Sequence, residues 1–152
     1  MRSDRTIYAI QEYAPAVAAL VAITATLGSL YYSEVAGYIP CTLCWYQRIL
    51  MYPLVAVTLV GLISRDHFLP RYVLPLSLIG IFISSYHYLL QLGIIGSSNV
   101  CTTGVPCSGR FVNWFGFITI PLQALTAFTL ITLSMLLTRW AHRQTEPAPD
   151  NL

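Results

Sequence analysis

The chain has 152 residues, of which 56% are hydrophobic and 9% are charged, and its formal net charge is +2. Soluble domains carry about 25% charged residues, so this composition excludes an ordinary water-soluble globule. A transmembrane helix needs about 20 consecutive apolar residues, and windows of that length recur along the sequence. The sequence therefore predicts an all-α integral membrane protein.

Four windows are predicted to span the membrane as helices, and they cover residues 14–32, 45–64, 72–92 and 118–137. The second window reaches spanning length only by including Arg48, which we place near the membrane boundary. Pro53 and Pro75 are compatible with these helices, since membrane helices tolerate proline where neighbouring groups satisfy the freed carbonyls. Residues 1–143 are thus expected to form one four-helix domain, followed by a disordered tail over residues 144–152.

Arginine placement predicts the orientation, because cytoplasmic loops near the spans hold an excess of basic residues. Lysine is absent, and six of the eight arginines flank the spans on one side: Arg2, Arg5, Arg65, Arg71, Arg139 and Arg143. Arg48 and Arg110 belong to the opposite side. Both termini are therefore predicted to be cytoplasmic, which leaves residues 33–44 and 93–117 as the extracytoplasmic loops.

The first span is also open to interpretation as a signal peptide, because Arg2 and Arg5 form a basic segment before an apolar run. That run is longer than the roughly 7 to 15 apolar residues of a signal peptide, and residues 33–37 offer a poor cleavage site. We therefore favour a membrane span.

All four cysteines lie in the two predicted outer loops. Disulfides persist in oxidising compartments outside the cytoplasm, so an even number of cysteines confined to that side predicts two redox pairs. The first pair is Cys41-Thr-Leu-Cys44, which runs directly into an apolar helix. A helix N-terminus favours a thiolate, and Cys-X-X-Cys pairs placed there have lowered thiol pKa values. These features predict a reactive pair.

Two ionisable side chains lie within the predicted spans. Arg48 follows Cys44 by one helical turn, and a charge inside a span costs at least ~2.5 kcal/mol. Either its side chain reaches the membrane surface, or it steadies a Cys44 thiolate and donates hydrogen bonds to a lipid-soluble acceptor. His87, at a similar depth in span three, is either a packed core histidine or a proton relay that works near neutral pH.

The second pair, Cys101 and Cys107, lies in a loop rich in glycine and proline. One interpretation is a structural disulfide that pins the loop. The other is a pair exposed for thiol exchange with a soluble partner, since exposed bridges are the labile ones. The aromatic segment at residues 111–117 is expected to lie at the membrane interface and to hold this loop close to the first pair.

The run Cys41-Thr-Leu-Cys44-Trp-Tyr-Gln-Arg48 resembles the Cys-X-X-Cys-X-Tyr-(Glu/Gln)-Arg signature of the DsbB family of membrane disulfide bond formation proteins. The family is called BdbC in Gram-positive bacteria. The resemblance extends to four spans, internal termini and a second cysteine pair in the second outer loop, close in sequence as in the compact BdbC-type branch. Arg48 matches the family's quinone-binding arginine, and His87 lies where the family has its quinone-side histidine. Position 47 is Gln rather than Glu.

The resemblance implies a quinone-dependent disulfide oxidoreductase of the bacterial cytoplasmic membrane. Its expected partner is a thioredoxin-fold dithiol oxidase, DsbA-like or BdbD-like, and its expected electron acceptor is ubiquinone or menaquinone. By analogy with the family, the partner attacks the Cys101–Cys107 disulfide through Cys101, Cys107 then attacks the Cys41–Cys44 disulfide, and Cys44 passes the electrons on. No metal is expected.

Three other interpretations remain open from the sequence. The four thiols fit the ligand set of a Cys₄ zinc site, although such a site does not explain Arg48. A small structural subunit stapled by two disulfides is a second possibility. A quinone reductase of the vitamin K epoxide type would reverse the electron flow, but there the reactive pair lies in a late span rather than before span two.

Overall fold

The computed structural model describes residues 2–96, 101, 105–109, 112 and 117–145. Four long helices dominate it: α1 over Arg2–Leu30, α2 over Thr42–Ile63, α3 over Leu69–Gln91 and α4 over Ile120–Thr145. A short π-helical turn, Tyr31–Val35, continues α1. All four helices are long and apolar enough to cross a membrane. The all-α, four-helix prediction is confirmed.

The helices are longer than the apolar windows predicted from sequence. α1 begins at Arg2, three turns before its window, and α4 continues through Thr145, two residues into the predicted tail. The apolar windows end where charged and polar residues begin, but polar residues such as Gln11 and Glu12 are good helix formers and let the helix continue. Residues 146–152 of that tail lie outside the described part of the chain.

The helices pack as a bundle in which α1 contacts α2 and α4, and α3 contacts the same two neighbours. The core is apolar and includes Leu54, Val73, Phe128 and Ile131. Large apolar side chains such as Phe82 cover the outside and remain exposed on the isolated chain. This outward-facing apolar surface is what a lipid bilayer covers.

One end of the bundle gathers the arginines. Near it, Gln11 of α1 donates hydrogen bonds to the carbonyl oxygen of Ala141 at 3.1 Å and to the hydroxyl of Thr145 at 2.9 Å, both on α4. The rings of His67 and His142 lie 4.9 Å apart, so the α2–α3 connection meets α4 there. This arginine end carries Arg5, Arg65, Arg71, Arg139 and Arg143. Arg48 lies towards the opposite end, which carries the cysteines, while Arg110 lies outside the described residues.

Close packing between α3 and α4 depends on Gly80. A methyl group added at Gly80 would overlap the ring of Phe128, which is fully buried. Beside this contact, the Thr132 hydroxyl donates to the Ser77 hydroxyl at 2.9 Å. Small residues and interhelical hydrogen bonds of this kind hold membrane helices together, because lipid supplies no hydrophobic driving force between them.

We therefore expect Gly80→Ala to destabilise the bundle by about 1–3 kcal/mol, the usual cost of overpacking a well-filled core. The measurement is the midpoint of thermal unfolding in detergent, followed by helical circular dichroism. Gly28→Ala is the matched control, since no described atom lies within 4 Å of the added carbon. Equal midpoints for the two variants would contradict the packing role of Gly80.

Candidate redox site at the cysteine end

Cys41 caps the N-terminus of α2. Its backbone is extended, with φ −73° and ψ 171°, and its sulfur accepts a hydrogen bond from the backbone N–H of Cys44 at 3.4 Å. The first N–H groups of a helix have no partner within the helix. The Cys-X-X-Cys spacing therefore lets the first sulfur satisfy one of these donors and brings both sulfurs to the same helix end.

The two sulfurs of the first pair are free thiols 2.9 Å apart. Cys41 is buried, with 5% of its surface exposed, and Cys44 is half-buried. A hydrogen bond from the Cys44 thiol holds the pKa of Cys41 well below its ordinary value, and nearby His87 lowers this pKa further, although burial opposes both. Cys41 is thus the sulfur of this pair that the structure favours as the thiolate when both are reduced.

His87 lies between the two cysteine pairs. Its Nε2 is 3.7 Å from the Cys41 sulfur and 3.2 Å from the carbonyl oxygen of Cys107. Its Nδ1 lies 3.2 Å from the side-chain nitrogen of Gln47. The imidazole is only 1% exposed, so protein groups surround it on both sides.

The second pair is present as a disulfide between Cys101 and Cys107, with the Cα atoms 5.8 Å apart. Cys107 is buried, and it packs in one cluster with Cys41, Leu43 and Leu90. This contact brings the two pairs together, as the sequence predicted. Because two of the four sulfurs are bonded to each other, this arrangement does not form a four-thiolate zinc site.

Arg48 turns towards α1. Its Nε donates to the Ser29 hydroxyl and its Nη2 to the Ser29 carbonyl oxygen, both at 2.9 Å. Its guanidinium also lies over the ring of Trp45, 5.4 Å from the centroid. These contacts offset the free-energy cost of placing a charge within a span, and they hold the guanidinium near the first cysteine pair.

A cavity of about 600 Å³ opens beside this site, and all four helices contribute to its wall. Its polar wall includes Cys44, Arg48 and His87. Much of the remainder is apolar and includes Leu20, Val21, Ala25, Met51 and Phe128. An apolar cavity with a few convergent polar groups is the usual form of a small-molecule site.

Sequence reasoning missed several polar groups of this cavity. Tyr52 follows Arg48 by one turn of α2, and its buried hydroxyl has no hydrogen-bond partner among the described residues. Tyr32 donates to the Gln123 side chain at 3.1 Å, which joins the end of α1 to the start of α4. Ser29 was missed as well. The four-residue spacing of Arg48 and Tyr52 was the available signal, because such residues share a helix face.

The structure thus places all six predicted site residues around one cavity or in its adjoining sulfur cluster. The predicted interfacial segment at residues 111–117 falls largely outside the described residues. Of its members, Val112 is buried and Phe117 is exposed.

Fold and site together define a multi-pass membrane protein with a pair of free thiols beside a second, disulfide-bonded pair. Residues 11–142 match the DsbB family, described as disulfide bond formation protein DsbB. The chain belongs to this family. A comparison with solved structures finds no match.

Relatives of known name point the same way. The chain is 55% identical over 120 residues to disulfide bond formation protein C of Bacillus subtilis, a match covering 78% of this chain and 86% of that one. It is 52% identical over 119 residues to a probable disulfide formation protein C of Halalkalibacterium halodurans, covering 78% and 87%. The chain is accordingly a disulfide-forming oxidoreductase of the membrane, and its compact branch is confirmed.

The lowered pKa of Cys41 gives a testable pH dependence. Only the thiolate is alkylated, so iodoacetamide labelling of Cys41 should reach half its maximum well below the pH of about 8.5 expected for an ordinary thiol. Cys44→Ala removes the main hydrogen-bond donor to Cys41, and the half-maximal pH should then rise. Peptide mass spectrometry, with the Cys101–Cys107 bond intact, measures both profiles. An unchanged profile in Cys44→Ala would show that Cys44 does not set this pKa.

Proposed function

We propose that this protein reoxidises an extracytoplasmic thioredoxin-fold dithiol oxidase and passes the electrons through its two cysteine pairs to a membrane quinone. The observation that carries this proposal is the grouping at one end of the bundle. Cys41, Cys44 and Arg48 line one cavity, and the Cys101–Cys107 disulfide packs in the same cluster as Cys41. The disulfide that would receive electrons from the partner, the dithiol that would pass them on and the cavity for the final acceptor thus lie next to one another in space.

The first step is exchange with the partner. A thiolate of the partner attacks Cys101, the partly exposed sulfur of the second disulfide, and Cys107 leaves as a thiolate. The partner's second thiol then attacks the mixed disulfide, which releases the oxidised partner and Cys101. Two electrons have moved, and the second pair is reduced.

The second step carries the electrons to the first pair. The Cys107 thiolate attacks the Cys41–Cys44 disulfide at Cys41, its neighbour in the buried cluster, and Cys44 leaves as a thiolate towards the cavity. Cys101 then attacks Cys107, and Cys41 leaves. The second pair is a disulfide again, and the first pair is a dithiol.

The cavity fits a quinone. Its apolar wall suits a ring with an isoprenoid chain, and the Tyr52 hydroxyl, which has no partner among the described residues, offers a hydrogen-bond donor for a quinone carbonyl. Arg48 offers further N–H groups on the same helix face. His87 also lines the cavity, but both its ring nitrogens face protein groups, which favours Arg48 and Tyr52 as the donors. A bound ubiquinone or menaquinone supplies an acceptor for two electrons and two protons.

The proposal includes an orientation in the membrane, which the placement of the arginines supports. Arginines gather at the end of the bundle where α1 begins and α4 ends, and an excess of basic residues marks the cytoplasmic side. Both cysteine pairs then face the extracytoplasmic side of the bacterial cytoplasmic membrane. This is the compartment in which disulfides form and persist.

The quinone step is tested by Arg48→Ala. The reduced, purified protein should reduce ubiquinone-1 or a short-chain menaquinone under anaerobic conditions, followed by absorbance. Loss of the guanidinium should raise the apparent KM for quinone by about tenfold, the scale of one hydrogen bond from a charged donor. Arg71→Ala is the control, because Arg71 also lies over an aromatic ring, that of Phe68, but at the arginine end. An unchanged KM in Arg48→Ala would remove Arg48 from the quinone site.

The partner step is tested by Cys107→Ser. This variant leaves Cys101 without its internal partner, so a disulfide between Cys101 and a thioredoxin-fold protein should accumulate in bacterial membranes and run as a larger species on a non-reducing gel. Cys101→Ser should give no such species, because Cys107 is buried. Mass spectrometry identifies the attached protein. Equal trapping by both variants would contradict the entry of electrons through Cys101.

A further inference from the structure

His87 connects the two cysteine pairs through one ring nitrogen. Nε2 faces two acceptors at once: the sulfur of Cys41 at 3.7 Å and the carbonyl oxygen of Cys107 at 3.2 Å. A shared donor of this kind fixes the backbone of the attacking cysteine relative to the sulfur that it attacks. The contact is sheltered from solvent, since the imidazole, Cys41 and Cys107 are all buried.

Gln47 determines which ring nitrogen carries the proton. The side-chain nitrogen of Gln47 is a donor, and it lies 3.2 Å from Nδ1 of His87. Nδ1 therefore accepts, and in the neutral imidazole the proton is on Nε2, where it points at Cys41 and Cys107. Gln47 is itself only 5% exposed, so little of its side chain is open to solvent.

Gln91 holds the same loop from a second point. Its side-chain nitrogen donates to the carbonyl oxygen of Gly109 at 3.0 Å. His87 and Gln91 are one turn apart on α3, and both are buried. Together they hold the backbone of the loop at Cys107 and at Gly109, so α3 positions the loop.

From this geometry we infer that His87 is a catalytic hydrogen-bond donor for disulfide exchange between the two cysteine pairs, and that Gln47 is a positioning residue that orients it. The inference rests on the relay proposed above and assigns these residues to the transfer between pairs rather than to the quinone. Gln91 supports the same step by holding the loop.

The exchange balances without any outside reactant. Cys107 attacks Cys41, the Cys41–Cys44 bond breaks, and Cys44 takes the electron pair. Cys101 then attacks Cys107, the Cys41–Cys107 bond breaks, and Cys41 takes the electron pair. The two protons lost by Cys101 and Cys107 are matched by those gained at Cys41 and Cys44.

His87 acts where charge develops on Cys41. Thiol exchange speeds up as the leaving thiolate becomes more stable, and Nε2–H donates to that sulfur as it leaves, without losing its proton. The same N–H keeps the Cys107 carbonyl in place throughout. An imidazole turned by a half rotation would present the acceptor Nδ1 to Cys41 and repel the thiolate.

The test measures exchange without any quinone. Fully oxidised protein receives one equivalent of dithiothreitol under anaerobic conditions, and samples are quenched over time with an alkylating reagent. Peptide mass spectrometry then reports how the free thiols redistribute between the two pairs. Whichever pair is reduced first, the relaxation rate is the rate of exchange between them.

His87→Leu should slow this relaxation by about tenfold or more, on the scale of one hydrogen bond to a charged group. His87→Gln, which keeps an amide N–H near the position of Nε2, should recover much of the loss. Gln47→Leu should slow exchange as well, but by less, because the imidazole is still present. Ser84→Ala is the matched control, since Ser84 is fully buried one turn earlier on α3 and its hydroxyl has no described partner.

A second measurement separates this inference from the proposed function. In a Cys101→Ser/Cys107→Ser background only the first pair remains, and its oxidation by ubiquinone-1 reports the quinone step alone. His87→Leu should affect this step much less than it affects exchange, which also shows that the bundle is folded. The opposite result, slow quinone reduction with normal exchange, would overturn the inference. If the Cys101→Ser/Cys107→Ser parent does not reduce quinone at all, the proposed function is overturned, whereas the measured effect of His87 on exchange remains valid.

Discussion

The sulfur of Cys41 accepts a hydrogen bond from the N–H of Cys44 in the first turn of α2, and the arrangement of the site depends on this contact. It fixes the start of α2, and with it the directions of the residues in the next turn. Successive residues of a helix point about 100° apart. Gln47 therefore reaches His87 on α3, while Arg48 reaches Ser29 on α1. A single turn of helix thus joins the first cysteine pair to two neighbouring helices.

The remainder of the bundle keeps this turn in place. Gly80 lets α3 approach α4 closely, and the hydrogen bond from Thr132 to Ser77 fixes their register. At the cysteine end, Gly93 adopts a positive φ of 75° and ends α3 just beyond Gln91. The chain can therefore turn back over His87, and the second pair meets the first. These features are local, and each has a clear steric or hydrogen-bonding cause.

Much of this was predictable from the sequence, and the reasons differ by feature. Apolar length predicted the four helices, because a bilayer imposes one length scale on every span. The spacing of Cys41, Cys44 and Arg48 predicted a reactive pair with a cation nearby, because those residues share one helix end. The partners of Arg48 and His87 were not predictable. Ser29 and Gln47 are ordinary polar residues, and only the packing of α1 and α3 against α2 reveals what they contact.

The four sulfurs differ in their access to the surroundings, and this difference has a consequence for selectivity. The two that meet in the middle of the proposed path, Cys41 and Cys107, are buried, whereas the two at its ends, Cys44 and Cys101, are partly accessible. Thiols and oxidants that are too bulky to enter the cavity therefore reach the terminal sulfurs more readily than the junction between them. The proposed path is thus shielded at its centre and more open at its two ends. Side reactions are therefore expected mainly at Cys44 and Cys101, where other reagents compete with the intended electron donor and acceptor.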